Sequence, residues 1–161
     1  LEIHKPNQVW QIDITYIPMK NGFMYMTAVI DVYSRYIVGW GISNSLDSSE
    51  SLKVVQEAIK IHGKPEILNS DQGTQFSCHS YVEYLKKKDI KISMDGKGRC
   101  LDNIFIERFW RTLKYQHIFL NPAKDGLELY LGIQKWLLRY HNRSHQGIEL
   151  KKPFEKYKLA A

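Results

Sequence analysis

From residue 9 the chain alternates. Val9, Gln11, Asp13 and Thr15 fall on one face of an extended segment, and Trp10, Ile12, Ile14 and Tyr16 on the other. Pro18 through Gly22 make a turn into a second strand, FMYMTAVIDVYS, rich in β-branched and aromatic residues. Asp31 and Ser34 bracket a tight turn into a third strand, YIVGWGIS, so the three read as an antiparallel meander. The period then changes. Leu52, Val55 and Ile59 recur at helical spacing behind the capping residues Asp47 and Ser48, and Gly63 and Pro65 stop the helix. Residues 66–69 predict a fourth strand that delivers Ser70-Asp71-Gln72-Gly73 to its end, residues 77–88 a helix, and KISM a fifth strand. A glycine-rich basic loop follows, Asp95-Gly96-Lys97-Gly98-Arg99, then a helix entered near Asp102 and another over 127–140. The basic tail, 151–160, reads as peripheral. The expected class is α/β, with a mixed five-stranded sheet of three antiparallel then two parallel strands, flanked by helices.

This is the ribonuclease-H-like succession of elements. Its penultimate helix separates residue types cleanly. Asn103, Glu107, Arg111 and Lys114 share one face, while Ile106, Phe109, Trp110 and Leu113 form an apolar stripe on the other. Asp102 is the expected N-cap. Phe109 and Trp110 read as core, and His141 and His145 as structural or phosphate-contacting residues, since HNRSH lacks the glutamate of a metalloprotease motif.

Charge narrows the partner. A net +6 favours a polyanion such as nucleic acid. The two cysteines, Cys78 and Cys100, form no C-x-x-C arrangement, which argues against a zinc finger or a disulfide framework. No apolar run approaches the roughly 20 residues of a bilayer span, and the first residues lack a signal-peptide core. A cytoplasmic location with no membrane partner is expected.

Three acids stand out by location: Asp13 inside the first strand, Asp71 just past the fourth, and Glu107 on the polar helix face. In such a fold the first and fourth strands are neighbours and the helix crosses beside them, so the carboxylates can converge. Gathered like charges require cations, here hard divalent ions with oxygen ligands, Mg²⁺ or Mn²⁺. Two such ions, about 4 Å apart, activate a water or 3′-hydroxyl for in-line attack on phosphorus. Asp31 reads as a turn residue, and Lys86–Lys88 as a solvated run.

Thirty-five residues separate Asp71 from Glu107, and this spaced triad matches the D,D(35)E pattern of the integrase core superfamily. The words WQIDITYI, AVIDVYSRYIVGW, NSDQGTQF and ISMDGKGRCLDNIFIERFWRTLKY, with Arg143-Ser144-His145-Gln146 and Pro153, resemble bacterial insertion-sequence transposases whose catalytic half is similar to retroviral integrase. The resemblance implies a ribonuclease-H-like fold, two Mg²⁺ (or Mn²⁺) held by Asp13, Asp71 and Glu107, and DNA strand cleavage and transfer. It implies transposon ends and target DNA as partners, a homo-oligomeric assembly of two or more copies, and a bacterial, nucleoid-associated setting. Lys114 matches a basic position that engages terminal DNA, and Arg111, Lys97 and Arg99 join it as expected DNA contacts. Residues 1–161 are expected to form one catalytic core. No helix-turn-helix is read in them, so end recognition is expected from an upstream region or another chain. A catalytically lapsed DNA-binding or assembly module, and a ribonuclease H or resolvase-like nuclease, stay open as other readings.

Overall fold

The computed structural model describes residues 1–94 and 102–160. Five strands form one sheet in the order β3-β2-β1-β4-β5: β1 Val9–Pro18, β2 Phe23–Asp31, β3 Ile37–Ser43, β4 Ile67–Ser70 and β5 Lys91–Met94. The first three pair antiparallel, and β4 and β5 run parallel to β1. The structure therefore bears out the expected class. β1 is central because its two faces both have apolar work to do. Trp10 and Ile12 enter one core with α1 (Ser48–His62) and α3 (His79–Lys87); Ile17 enters the other with α4 (Ile104–Leu113) and α5 (Gly126–His141). The result is three layers, with the sheet in the middle.

Local signals explain most boundaries. Asp47 caps α1 by accepting from the Ser49 N–H, and Gly63 ends it in the left-handed region at φ 81°. Asp125 caps α5 by accepting from the Glu128 N–H. Asp31 sits in the predicted turn, fully buried, where its carboxylate accepts from the backbone N–H and hydroxyl of Ser34 and from the Asn7 N–H. No described helix is long and apolar enough to cross a membrane.

Three expectations are corrected. The N-cap of α4 is Asn103, not Asp102, and its side chain makes no capping bond. A short helix, α2 (Thr74–Ser77), precedes α3, and α4 continues into a π-helical turn, Lys114–Ile118. The basic tail is not peripheral. Its helix α6 (Pro153–Lys158) buries Tyr157, whose hydroxyl donates to Asn7 Oδ1 and whose ring stacks on Tyr36 at 4.9 Å. The predicted loop 95–99 lies outside the described residues.

Candidate active site

Two strands and one helix converge on Asp13. β1 and β4 pair in parallel as Val9–Ile67, Trp10–Leu68 and Gln11–Asn69. Asp71 lies two residues past Asn69, as Asp13 lies two past Gln11, so the ladder brings both acids level at the point where β4 ends. Alternation puts Asp13 on the same face as Gln11 and Thr15, and all three meet α4 or its continuation.

The attachment is polar and specific. Buried Gln11 accepts the Phe105 and Ile106 N–H groups on Oε1 and donates from Nε2 to the Asp102 carbonyl, so a strand residue caps the helix. Asn103 donates to the Ile12 carbonyl and accepts from Asn69 Nδ2, tying the helix start to β1 and β4. One turn and a half later Trp110 Nε1 donates to Asp13 Oδ2 at 3.0 Å, and Lys114 Nζ donates to Thr15 Oγ1 at 2.7 Å. The spacings match: Gln11 to Thr15 is about 13 Å of strand, and Phe105 to Lys114 about 13 Å of helix. α4 therefore runs alongside β1, and Glu107, on an exposed position between two bolted turns, faces the two aspartates' neighbourhood.

Electrostatics register that meeting. Burial pushes the Asp13 carboxyl up to about 6; the bonds from Trp110 and the Ile14 backbone lower it, and the charges of Asp71 and Glu107 raise it again. Asp71 is oriented from its own loop, with Oδ1 accepting the Gly73 N–H at 2.8 Å. A Cβ at residue 73 would stand 2.8 Å from that same oxygen, so glycine keeps the carboxylate where it is. Among the described residues, no three His, Cys, Asp or Glu side chains are already closed around a point that could hold a metal. The acids share a field, not a finished ligand shell. The donor set, carboxylates without histidine or thiolate, suits a hard divalent cation, and a cation would relieve the repulsion at Asp13.

The other expected site residues divide. Lys114 is half-buried beside the acids, lies 5.3 Å from the Tyr16 ring centre, and has its ammonium shifted down by burial against the pull of Asp13. Arg111 is exposed, with its guanidinium 5.9 Å from the Tyr115 ring centre. Lys97 and Arg99 lie outside the described residues. Lys87 pairs with Glu83, and Lys88 ends α3, so that run is a solvated helix end. His141 and His145 each hold backbone with one ring nitrogen: His141 Nε2 accepts the Ile37 N–H, and His145 Nε2 meets the Tyr140 carbonyl at 2.9 Å. The pattern reading missed Gln11, Asn69 and the indole N–H of Trp110. The available signal was an amide two positions before each aspartate, at Gln11 and Asn69, on strands that otherwise bury apolar residues.

The integrase core domain model matches residues 3–100, and a second integrase core domain model matches residues 88–153. The transposase for insertion sequence element IS904 of Lactococcus lactis subsp. lactis (strain IL1403) is 37% identical over 162 residues, covering 94% of this chain and 62% of the relative. Transposase InsF for insertion sequence IS3A of Escherichia coli (strain K12) is 35% identical over 115 residues, 70% of this chain and 40% of that protein. The chain thus spans less than two thirds of the length of these relatives. Its fold is similar to the HTLV-2 integrase catalytic core domain in complex with magnesium, in its dimeric form, at TM-score 0.73 and 22% identity over 94% of this chain and 97% of the other. It is also similar to a chain of the simian T-cell lymphotropic virus intasome in complex with PP2A regulatory subunit B56 gamma, at TM-score 0.79 and 20% identity over 96% of this chain and 56% of the other.

Proposed function

The chain belongs to the integrase core family, and from that premise we propose that it is the catalytic core of an insertion-sequence transposase, a polynucleotidyl transferase that cleaves and joins DNA strands. The observation that carries the reading is the shared register of β1 and β4. It sets Asp13 and Asp71 level beside α4, and Asp13 responds to both other acids. Asp13, Asp71 and Glu107 would hold two divalent ions, Mg²⁺ or Mn²⁺, and the magnesium named with the similar HTLV-2 integrase core supports that choice. When bound, such ions acidify an attacking water or 3′-hydroxyl and offset charge at phosphorus.

The chain's own residues do the positioning. Trp110 fixes one oxygen of Asp13, the Gly73 N–H fixes one of Asp71, and the Gln11–Asn103–Asn69 network fixes the helix that carries Glu107. Lys114 puts a cation at the edge of the acids, where a phosphodiester approaches, and Arg111 extends that edge. The DNA ends of the element and a target duplex are the substrates, and a homo-oligomer is the working assembly. The dimeric and intasome states named for the similar integrases support the latter.

The test is Mn²⁺-dependent cleavage and strand transfer on end-sequence duplexes, with an RNA–DNA hybrid as the competing substrate. Asp71→Asn is expected to abolish transfer while leaving circular dichroism and melting unchanged. Wild-type-like activity in that variant removes the mechanism, and preferential cleavage of the hybrid's RNA strand replaces it with a ribonuclease H. Calorimetric Mn²⁺ titration of wild type against Asp13→Ala separates a living site from a lapsed one, since only a living site loses its binding heat.

A further inference from the structure

A second cluster of charge lies on the other flank of α4. Arg35, in the turn between β2 and β3, Arg108 on α4, and His145 beside the 3₁₀ turn Gln146–Ile148 line a cavity of about 200 Å³. Phe105, Phe109 and Tyr140 supply aromatic wall. We propose that this cavity binds a backbone phosphate of DNA through Arg35, Arg108 and His145, at a point separate from the reacting phosphodiester. The proposal rests on the polynucleotidyl-transferase reading for the identity of the polyanion.

Three observations carry it. The guanidiniums of Arg35 and Arg108 line one cavity and repel each other. Burial lowers the Arg35 guanidinium and Arg108 lowers it further, while Tyr140 and, more weakly, Asp31 pull it back up. Asp31 is already engaged by Asn7 and Ser34. Second, Arg35 is pre-set. Its guanidinium lies 3.9 Å from the Phe105 ring centre, one of its nitrogens donates to the Val32 carbonyl, and its backbone takes the left-handed region at φ 65°. Glycine would adopt that conformation without cost, yet the position carries an arginine. Third, His145 donates its Nε2–H to the Tyr140 carbonyl, so Nδ1 carries a proton for phosphate only in the imidazolium form, which burial and the Arg35 charge disfavour and a bound phosphate's counter-charge would restore.

The position relative to the acids fits one polymer. Arg108 follows Glu107 directly, on a helix about 10 Å across. A duplex laid over the start of α4 reaches both flanks, and a strand offers a phosphate at every nucleotide. Arg35, partly buried, and Arg108, exposed at the cavity mouth, offer a phosphate paired guanidinium N–H donors.

Equilibrium binding to duplex DNA in EDTA, over 50–300 mM salt, tests this without any catalytic step. One neutralised phosphate contributes about 0.9 to the slope of log K against log salt. Arg108→Gln is expected to reduce the slope by about that amount, and Arg108→Gln with His145→Gln to reduce it no further, because the two share one phosphate. Arg35 is left intact because it also holds its turn. Slopes equal to wild type in both variants overturn the proposal, even if strand transfer is normal. A reduced slope in a protein that never transfers strands keeps the phosphate site and removes the transferase reading instead.

Discussion

At Asp13, burial and the two neighbouring acids favour the protonated carboxyl, while Trp110 and the Ile14 backbone favour the ionised one. Binding a cation requires the ionised form, so the indole N–H is the chain's own contribution to readiness. Trp110→Phe keeps an aromatic ring in the core and deletes that donor. The expected outcome is a roughly 10–100-fold loss in Mn²⁺ affinity and strand transfer, in line with other residues that orient metal ligands. Stability is expected to fall by about 1 kcal/mol. Wild-type Mn²⁺ binding in Trp110→Phe would reduce Trp110 to packing. Nothing in the sequence marks this role. Helical periodicity places Trp110 on the apolar stripe, and it is indeed buried, but periodicity carries no information about a hydrogen bond across 97 positions. The three acids were legible for the opposite reason: carboxylates in mid-strand, at a strand end and on a polar helix face are conspicuous against local propensity.

At the scale of elements, the strand β1 and the helix α4 behave as one part. A helix start leaves N–H groups without partners, and here two of them are taken by Gln11 from the neighbouring strand. The helix thus takes its cap from a distant side chain, while Asn103 stands at the N-cap position. The alternation of β1 and the stripe of α4 were readable, and so was the face on which they meet. The cap was not, because its donor and acceptor are more than 90 residues apart. Gln11→Leu matches the shape and leaves both N–H groups buried without acceptors. It is expected to cost about 2–4 kcal/mol, or roughly 4–16 °C in melting temperature, and to lower transfer further than stability alone accounts for, because Glu107 rides on that helix. A variant that melts early yet transfers normally at low temperature would show that the cap serves folding only.

Across the whole molecule, the far end of the fold is closed by an aromatic stack that ties the turn before β3 to α1, α5 and α6. His141 stacks on Tyr36 at 4.0 Å, Tyr36 on Tyr157 at 4.9 Å, and His62 meets both edge-on. The sequence showed the tail's charge and hid this role, since Tyr157 is one ring among lysines. Inside the stack His141 must stay neutral, because its Nε2 accepts the Ile37 N–H, and burial drives its imidazolium down to about 3. An unfolded histidine titrates near 6.5. Between those values the unfolded chain takes up a proton that the folded chain refuses, so the stability His141 contributes is present above about 6.5 and drains as pH falls toward 3. Its share is up to about 1.4 kcal/mol per pH unit. His62, His117 and His145, also lowered by burial, act in the same sense, and the raised Asp13 and Asp31 in the opposite one. All of these are common to wild type and to His141→Gln, whose amide oxygen can still accept from Ile37. The comparison therefore isolates one group. In metal-free buffer, melting between pH 6 and pH 4 is expected to decline less in His141→Gln than in wild type, by roughly 5–10 °C, and parallel declines would mean that His141 takes its proton inside the fold.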